Sequence, residues 1–261
     1  MSGGDRDVEL LRGLLRTPTA PFREEAIIRF VRGWAGAAGV AFGQDGSGNV
    51  LLRYRRGRPR ARWVFAAHMD HPGFEVRESG GRTVLADFRG GVGEKYFDGA
   101  RVRLFPAAGD EAVGTIRRSE PLPVARWRSC HIRLDGPADV PVGTPGMWDL
   151  PAFRVRGNRY SGRAFDDLAG VAAVLATMER IAADRPVADV TGLLTRAEEA
   201  GFVGCLAACR EGSVADDAFV VALEASQAQP AAKLGDGVVV RVGDAMRVYD
   251  PSLTGYVHGV A

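Results

Sequence analysis

With 261 residues, 46% of them hydrophobic and 25% charged, the chain can bury a full core, which excludes disordered and collagen-like classes. Its 34 Lys and Arg against 32 Asp and Glu leave a net charge of +2, too balanced a composition to point to nucleic acid. No apolar run approaches the roughly 18 residues that span a bilayer. Residues 1–15 carry five charged side chains, which is not the pattern of a signal peptide.

Residues 7–15 and 21–38 show helical spacing; in the second, Ile27, Ile28, Val31 and Trp34 recur three and four apart, and Pro21 suits a helix start. Val40-Ala41-Phe42 and Val50-Leu51-Leu52 flank the turn cluster Asp45-Gly46-Ser47-Gly48-Asn49, which reads as a hairpin. The arginine run Arg53, Arg55, Arg56, Arg58, Arg60 and Arg62 reads as a solvated hairpin face rather than a nucleic-acid patch.

Residues 63–67, 190–194 and 219–223 are short, nearly continuous apolar runs, the texture of strands buried on both faces. Helical stretches accompany them: Leu168, Val171, Leu175, Met178 and Ile181 form one stripe, and a second helix is expected after Glu199. This rhythm predicts an α/β fold with a mostly parallel central sheet flanked by helices. Between residues 74 and 160 the helical period vanishes, and short strands alternate with Gly and Pro. A small β-barrel-like domain inserted into the sheet domain is expected there. The expected domains are therefore 1–73 and 161–261 as two parts of one α/β domain, with 74–160 inserted. Cys130, Cys205 and Cys209 make an odd set with no disulfide framework, so a reducing, cytoplasmic setting is expected. Cys205 and Cys209, four apart on a predicted helix, read as small buried thiols rather than a zinc pair.

Each buried-strand candidate runs into residues of metal-ligand type. The first leads to His68-Met69-Asp70-His71, the second to Glu198-Glu199, the third to Glu224. Ligands in open α/β sheets gather at the carboxyl ends of strands, so three distant segments converge on one edge. Asp166-Asp167 opens the helix after the insertion and can join them. Each feature alone has a bland explanation, as a helix cap or a solvated charge; their joint placement does not. His, Asp and Glu supply N and O ligands suited to zinc, cobalt or manganese. A carboxylate such as Asp166 can bridge two ions in a hydrolytic site. Asp70 is placed to fix the His68 imidazole, and of Glu198 and Glu199 one can ligate while the other acts as general base.

These segments, with Gly73-Phe74, Gly90-Gly91, Gly143-Thr144-Pro145, the run from Gly162 to Asp167, Glu198-Glu199-Ala200-Gly201 and the run from Lys233 to Gly237, resemble the family forty-two metallo-aminopeptidases. These are also called tetrahedral aminopeptidases and were once named endoglucanases. The resemblance implies that His68 and Glu224 hold a first divalent ion, Asp166 bridges, Glu199 binds a second, Glu198 is the general base and Asp70 supports His68. It further implies peptide substrates cut at the N-terminus and homo-oligomers from dimers to dodecamers. Leu168 stands where the family carries Arg, and Glu224 where it carries Asp. The family's further histidine for the second ion comes from a longer C-terminal region, and His258 has no matching context. A truncated chain with a weak second site and impaired turnover is therefore expected. The competing expectation is an inactive homologue serving as an assembly or binding subunit. A glycosidase ranks last, because it needs two carboxylates and no metal.

Overall fold

The computed structural model describes residues 3–123, 127–230 and 232–261. Residues 124–126 of the expected insertion, and residues 1 and 2 of the segment weighed as a leader, lie outside them. The chain divides into two compact units, residues 1–225 and 226–261.

In the first unit, helices α1 (Gly3–Arg16) and α2 (Glu25–Ala38) lead into strands β1 (Ala41–Gln44), β2 (Val50–Arg56) and β3 (Arg62–His68). Strands β4 (Gly73–Gly80), β5 (Thr83–Arg89), β6 (Arg101–Leu104), β7 (Ala112–Pro121), β8 (Arg128–Leu134) and β9 (Pro145–Trp148) follow, then a small hairpin of β10 (Arg154–Arg156) and β11 (Arg159–Ser161). The long helix α3 (Phe165–Asp184), β12 (Ala188–Thr195), α4 (Val203–Arg210) and β13 (Ala218–Ala222) complete it. The central sheet runs β1-β2-β12-β3-β13. Strands β12, β3 and β13 are parallel, β1 shares their direction, and β2 alone opposes it.

Alternation along the strands sorts the core onto two faces. Val50, Leu52, Ala67, Val190 and Leu194 face α1, α2 and α3, meeting Leu14, Leu15, Ile27, Val31, Leu168, Val171 and Leu175. Leu51, Val64 and Leu193 face the other way, toward Ala208 of α4. Gly192 lets α3 lie close on the sheet, because a Cβ there would stand 2.7 Å from Val174 Cγ1. Strand β13 forms an edge, and its Phe219 and Val220 are 45% and 42% exposed.

Strands β4-β5-β8-β7-β6-β9 close into a barrel, which leaves no open edge. Its core centres on Phe74, Phe88, Phe97 and Trp148, with ring centroids 4.9 to 5.4 Å apart. Such edge-on and tilted pairs are the preferred aromatic geometries.

Two local expectations are corrected. Helix α2 begins at Glu25, not Pro21, because Phe22 adopts a positive φ of 67° and interrupts the helical path. The arginines from Arg53 to Arg62 are exposed, and Arg53, Arg55 and Arg56 lie on β2 of the β1–β2 hairpin, with Arg53 opposite Ala41. Strand β12 inserts between β2 and β3 and pairs with both. Cys205 and Cys209 are exposed rather than buried, since α4 buries only Gly204 and Ala208.

The described residues of 226–261 form loops and one helix, α5 (Pro251–Val260). Asp250 caps it by accepting from Leu253 N–H at 2.7 Å, with Pro251 at the position where a missing N–H costs nothing. No described helix is long and apolar enough to cross a membrane.

Candidate metal centre

The parallel register fixes where the polar residues fall. Thr195, the last residue of β12, is level with His68, the last of β3, and β13 delivers Glu224 two residues past its end. Glu198 and Glu199 follow β12, while Asp166 stands at the mouth of α3. The four segments meet at the carboxyl edge of the sheet.

His68 is the buried centre, 3% exposed. Its Nε2 lies 3.0 Å from Asp166 Oδ1, 3.7 Å from Glu224 Oε2 and 3.9 Å from Glu198 Oε2. Among the described residues, one oxygen each of Asp166 and Glu224 and a ring nitrogen of His68 fall within 4.8 Å of one another, a spacing that one ion can span. Glu199 lies outside this trio, but its carboxyl is near enough to Asp166 and Glu198 to feel both charges.

The backbone is bent to achieve this. Asp166 (φ −84°, ψ 106°) and Asp167 are non-helical within the first turn of α3. Ala164 and Ala197, which precede the two acidic pairs, have left-handed φ values of 61° and 48°. Such conformations cost about 1–3 kcal/mol each and persist only where surrounding contacts enforce them.

Those contacts come from the same edge. Asp70, fully buried, accepts the amides of Glu198 (2.9 Å) and Glu199 (3.0 Å) on its two oxygens. The Asp70 carbonyl oxygen lies 3.1 Å from His68 Nδ1, and its carboxylate Oδ1 3.4 Å away. The expected support of His68 thus runs through the main chain as well as the carboxylate. Two further residues carry supporting roles that residue types alone did not reveal. His71 Nδ1 lies 2.7 Å from the Asp166 carbonyl; burial holds its pKa down, so the neutral ring donates an N–H there. Asp167 accepts from the amides of His68 (3.2 Å) and Gly170 (3.1 Å). Gly170 is required, since any Cβ would collide with the Asp167 carboxylate. The sequence signal for both was adjacency, in His68-Met69-Asp70-His71 and Asp166-Asp167.

Negative charge is in excess. Burial, then repulsion from Asp166 and Glu198, pushes Glu199 up to about 8, and burial pushes Asp167 up to about 8. Burial likewise raises Glu198. Burial opposes a charge on His68, but hydrogen bonds to Asp166, Asp70 and Glu224 outweigh it and raise its pKa. Asp166 is lowered, burial being outweighed by the His68 contact. One imidazole among four converging carboxylates is a donor set of hard oxygens and one nitrogen. It fits a divalent cation, which would relieve the repulsion.

The chain thus joins an α/β sheet, bearing a carboxylate-rich cluster around His68 at its strand ends, to a closed barrel between β3 and α3. Residues 137–261 match the family model of the M42 glutamyl aminopeptidases. No curated protein matches the sequence. Among solved structures, the chain is similar to the TET1 peptidase of Pyrococcus horikoshii (TM-score 0.80, 20% identity, 98% of this chain and 81% of that one). It is also similar to a TET aminopeptidase from a marine-sediment Thaumarchaeota archaeon (0.78, 22%, 98% and 78%). A third is aminopeptidase APDkam598 of Desulfurococcus kamchatkensis (0.77, 20%, 98% and 76%). At these identities the likeness is one of fold. The resemblance to the M42 peptidases is borne out by the family match over residues 137–261, and the expected α/β fold by the likeness over nearly the whole chain.

Proposed function

We propose that this chain is a metal-dependent aminopeptidase that removes N-terminal residues from peptides. The observation carrying the reading is the meeting of His68, Asp166 and Glu224 within 4.8 Å, flanked by the pair Glu198-Glu199. In the proposed division of roles, His68 and Glu224 hold one divalent ion, Asp166 is shared, and Glu199 serves a second. Zinc or cobalt suit this donor set best, and manganese is admissible. Bound ions would supply Lewis acidity toward the scissile carbonyl and a more acidic water. Glu198, raised by burial, takes the proton of the attacking water and delivers it to the departing amine. Asp70 and His71 hold the acidic pair and Asp166 in place. The surplus negative charge also suits the ammonium group of a peptide N-terminus.

The P. horikoshii TET1 peptidase assembles into a tetrahedron or a large octahedral shell, and homo-oligomerisation is proposed here by analogy. The proposed domains are 1–73 with 161–261, and an inserted 74–160 that serves assembly and substrate access. Free cysteines fit a cytoplasmic location. Hydrolysis of aminoacyl chromogenic amides with added zinc, cobalt or manganese tests the activity. A chain that binds metal yet hydrolyses none of a broad panel would instead be an assembly or binding subunit.

A further inference from the structure

The loop that carries Glu198 and Glu199 is gripped amide by amide. Arg196 N–H donates to Asn49 Oδ1 at 3.0 Å, and Ala197 N–H to Glu24 Oε1 at 3.0 Å. Glu198 and Glu199 donate to the two oxygens of Asp70. Four consecutive main-chain donors thus end on side chains from three distant segments. Glu24 and Asn49, like Asp70, are completely buried. Buried polar groups persist when their partners are complete, and here the partners are the loop itself.

Glu24 does more than accept one amide. Its Oε2 receives Arg196 Nε at 2.7 Å, and its Oε1 also receives Phe22 N–H at 2.9 Å. Arg196 Nη2 reaches back to the Phe22 carbonyl at 3.2 Å. Asn49 Nδ2 donates to Asp45 Oδ2 (2.8 Å) and to the Gly204 carbonyl (2.9 Å), so one amide side chain ties the β1–β2 turn to the start of α4. Only glycine fits at 204, because a Cβ there would strike Asn49 Oδ1 and the Arg196 backbone. Between the two anchors sits Ala197 at its left-handed φ of 48°. A non-glycine residue in that region needs outside contacts to hold it, and Glu24 and Asn49 grip its own amide and the preceding one.

We propose that Glu24, assisted by Asn49, is a positioning residue for the reaction: it fixes the backbone of residues 196–199 and so sets the direction in which the Glu198 and Glu199 carboxylates point. This rests on the reading of Glu198 as base and Glu199 as metal ligand. Neither Glu24 nor Asn49 touches His68, Asp166 or Glu224 in the hydrogen bonds and ion pairs described; their contacts are with the loop, and Glu24 also feels the charge of Asp70.

The test compares wild type, Glu24→Ala, Glu24→Gln and Asn49→Ala in the full chain. Amide hydrogen exchange is followed at residues 196–199, cobalt(II) binding by titration, and turnover on an aminoacyl chromogenic amide. Glu24→Ala is expected to speed exchange at Ala197 and its neighbours at least ~10-fold, and to lower kcat about 10–100-fold with KM within about threefold, the range seen when supports of a metal site are removed. Glu24→Gln keeps an acceptor for Ala197 N–H but turns an NH2 toward Arg196 Nε–H, so it is expected to fall between wild type and Glu24→Ala on both readouts. Should Glu24→Ala fail to fold, Asn49→Ala carries the comparison at the Arg196 amide. Wild-type exchange rates in Glu24→Ala or Asn49→Ala, or an unchanged kcat in an active protein, would overturn the assignment. A wild type that neither binds cobalt nor turns over would fail the peptidase reading, while the exchange comparison still decides whether Glu24 holds the loop.

Discussion

The carboxylate of Asp70 receives the amide of Glu199 at 3.0 Å, across a sequence separation of 129 residues. Its other oxygen takes Glu198 N–H at 2.9 Å, and its carbonyl lies 3.1 Å from His68 Nδ1. One residue therefore couples the histidine at the end of β3 to the acidic pair after β12. Replacing Asp70 with Asn swaps one acceptor for an NH2 group facing a main-chain N–H. Metal affinity is expected to fall about 10–100-fold, read by calorimetric titration with zinc or cobalt. Unaltered affinity in a folded Asp70→Asn chain would separate Asp70 from the metal centre.

Glu198 and Glu224 stand at similar distances from His68 Nε2, 3.9 and 3.7 Å, yet different losses are expected from them. Glu198→Gln removes the proton carrier and should lower kcat about 10²- to 10⁴-fold while divalent ions still bind. Glu224→Gln removes one of the three groups that can surround one ion, so binding itself should weaken. Stoichiometry by metal analysis and turnover at saturating metal distinguish the two; Glu198→Gln with full activity would remove it from the proton path.

The sheet was legible because strands buried on both faces leave unbroken apolar runs, and residues 63–67, 190–194 and 219–223 became the three parallel strands β3, β12 and β13. The convergence of His68, Asp166 and Glu224 was legible too, because strand ends share an edge. The neighbour of β2 beyond its hairpin with β1 was not: β12 arrives from beyond the barrel to separate β2 from β3. Glu24 and Asn49 left no trace either. A buried Glu before a helix and an Asn in a turn have ordinary local explanations, and their partners lie 173 and 147 residues away. Helix α4 was placed correctly, but its thiols were assigned to the wrong side because the eight-residue helix is too short to show which face packs.

That exposure gives a direct check. Cys130 lies in the barrel core, where burial pushes its thiol up to about 12. The thiolate is the reactive form, so Cys130 is silent toward an aromatic disulfide reagent near neutral pH. Cys205 and Cys209 are exposed, although burial and its neighbour Cys209 raise the pKa of Cys205. Two thiols per chain are expected to react in the native protein and a third only in denaturant. Rapid release of three equivalents from the native protein would contradict the closed barrel.

The crowded carboxylates make stability depend on pH in a direction that bound metal should change. Glu199 and Asp167, both raised to about 8, keep protons in the folded state that the unfolded chain sheds above the ordinary carboxylate range. His68, also raised, holds its proton in the folded state above its ordinary 6.5. From about pH 5 to about 8 the native state thus binds more protons than the unfolded one, and stability falls as pH rises. Asp166, lowered, contributes stability that is lost only on the acid side of this window. Zinc or cobalt must displace those same protons to bind, so their affinity strengthens with pH, and the stabilisation they give grows with it. Thermal unfolding should therefore show a midpoint that declines from pH 5 to 8 after chelation, and a metal-induced upward shift larger at pH 8 than at pH 5. A chelated protein that gains stability across that interval, or a metal shift greatest at pH 5, would mean that these carboxylates do not share one cation site.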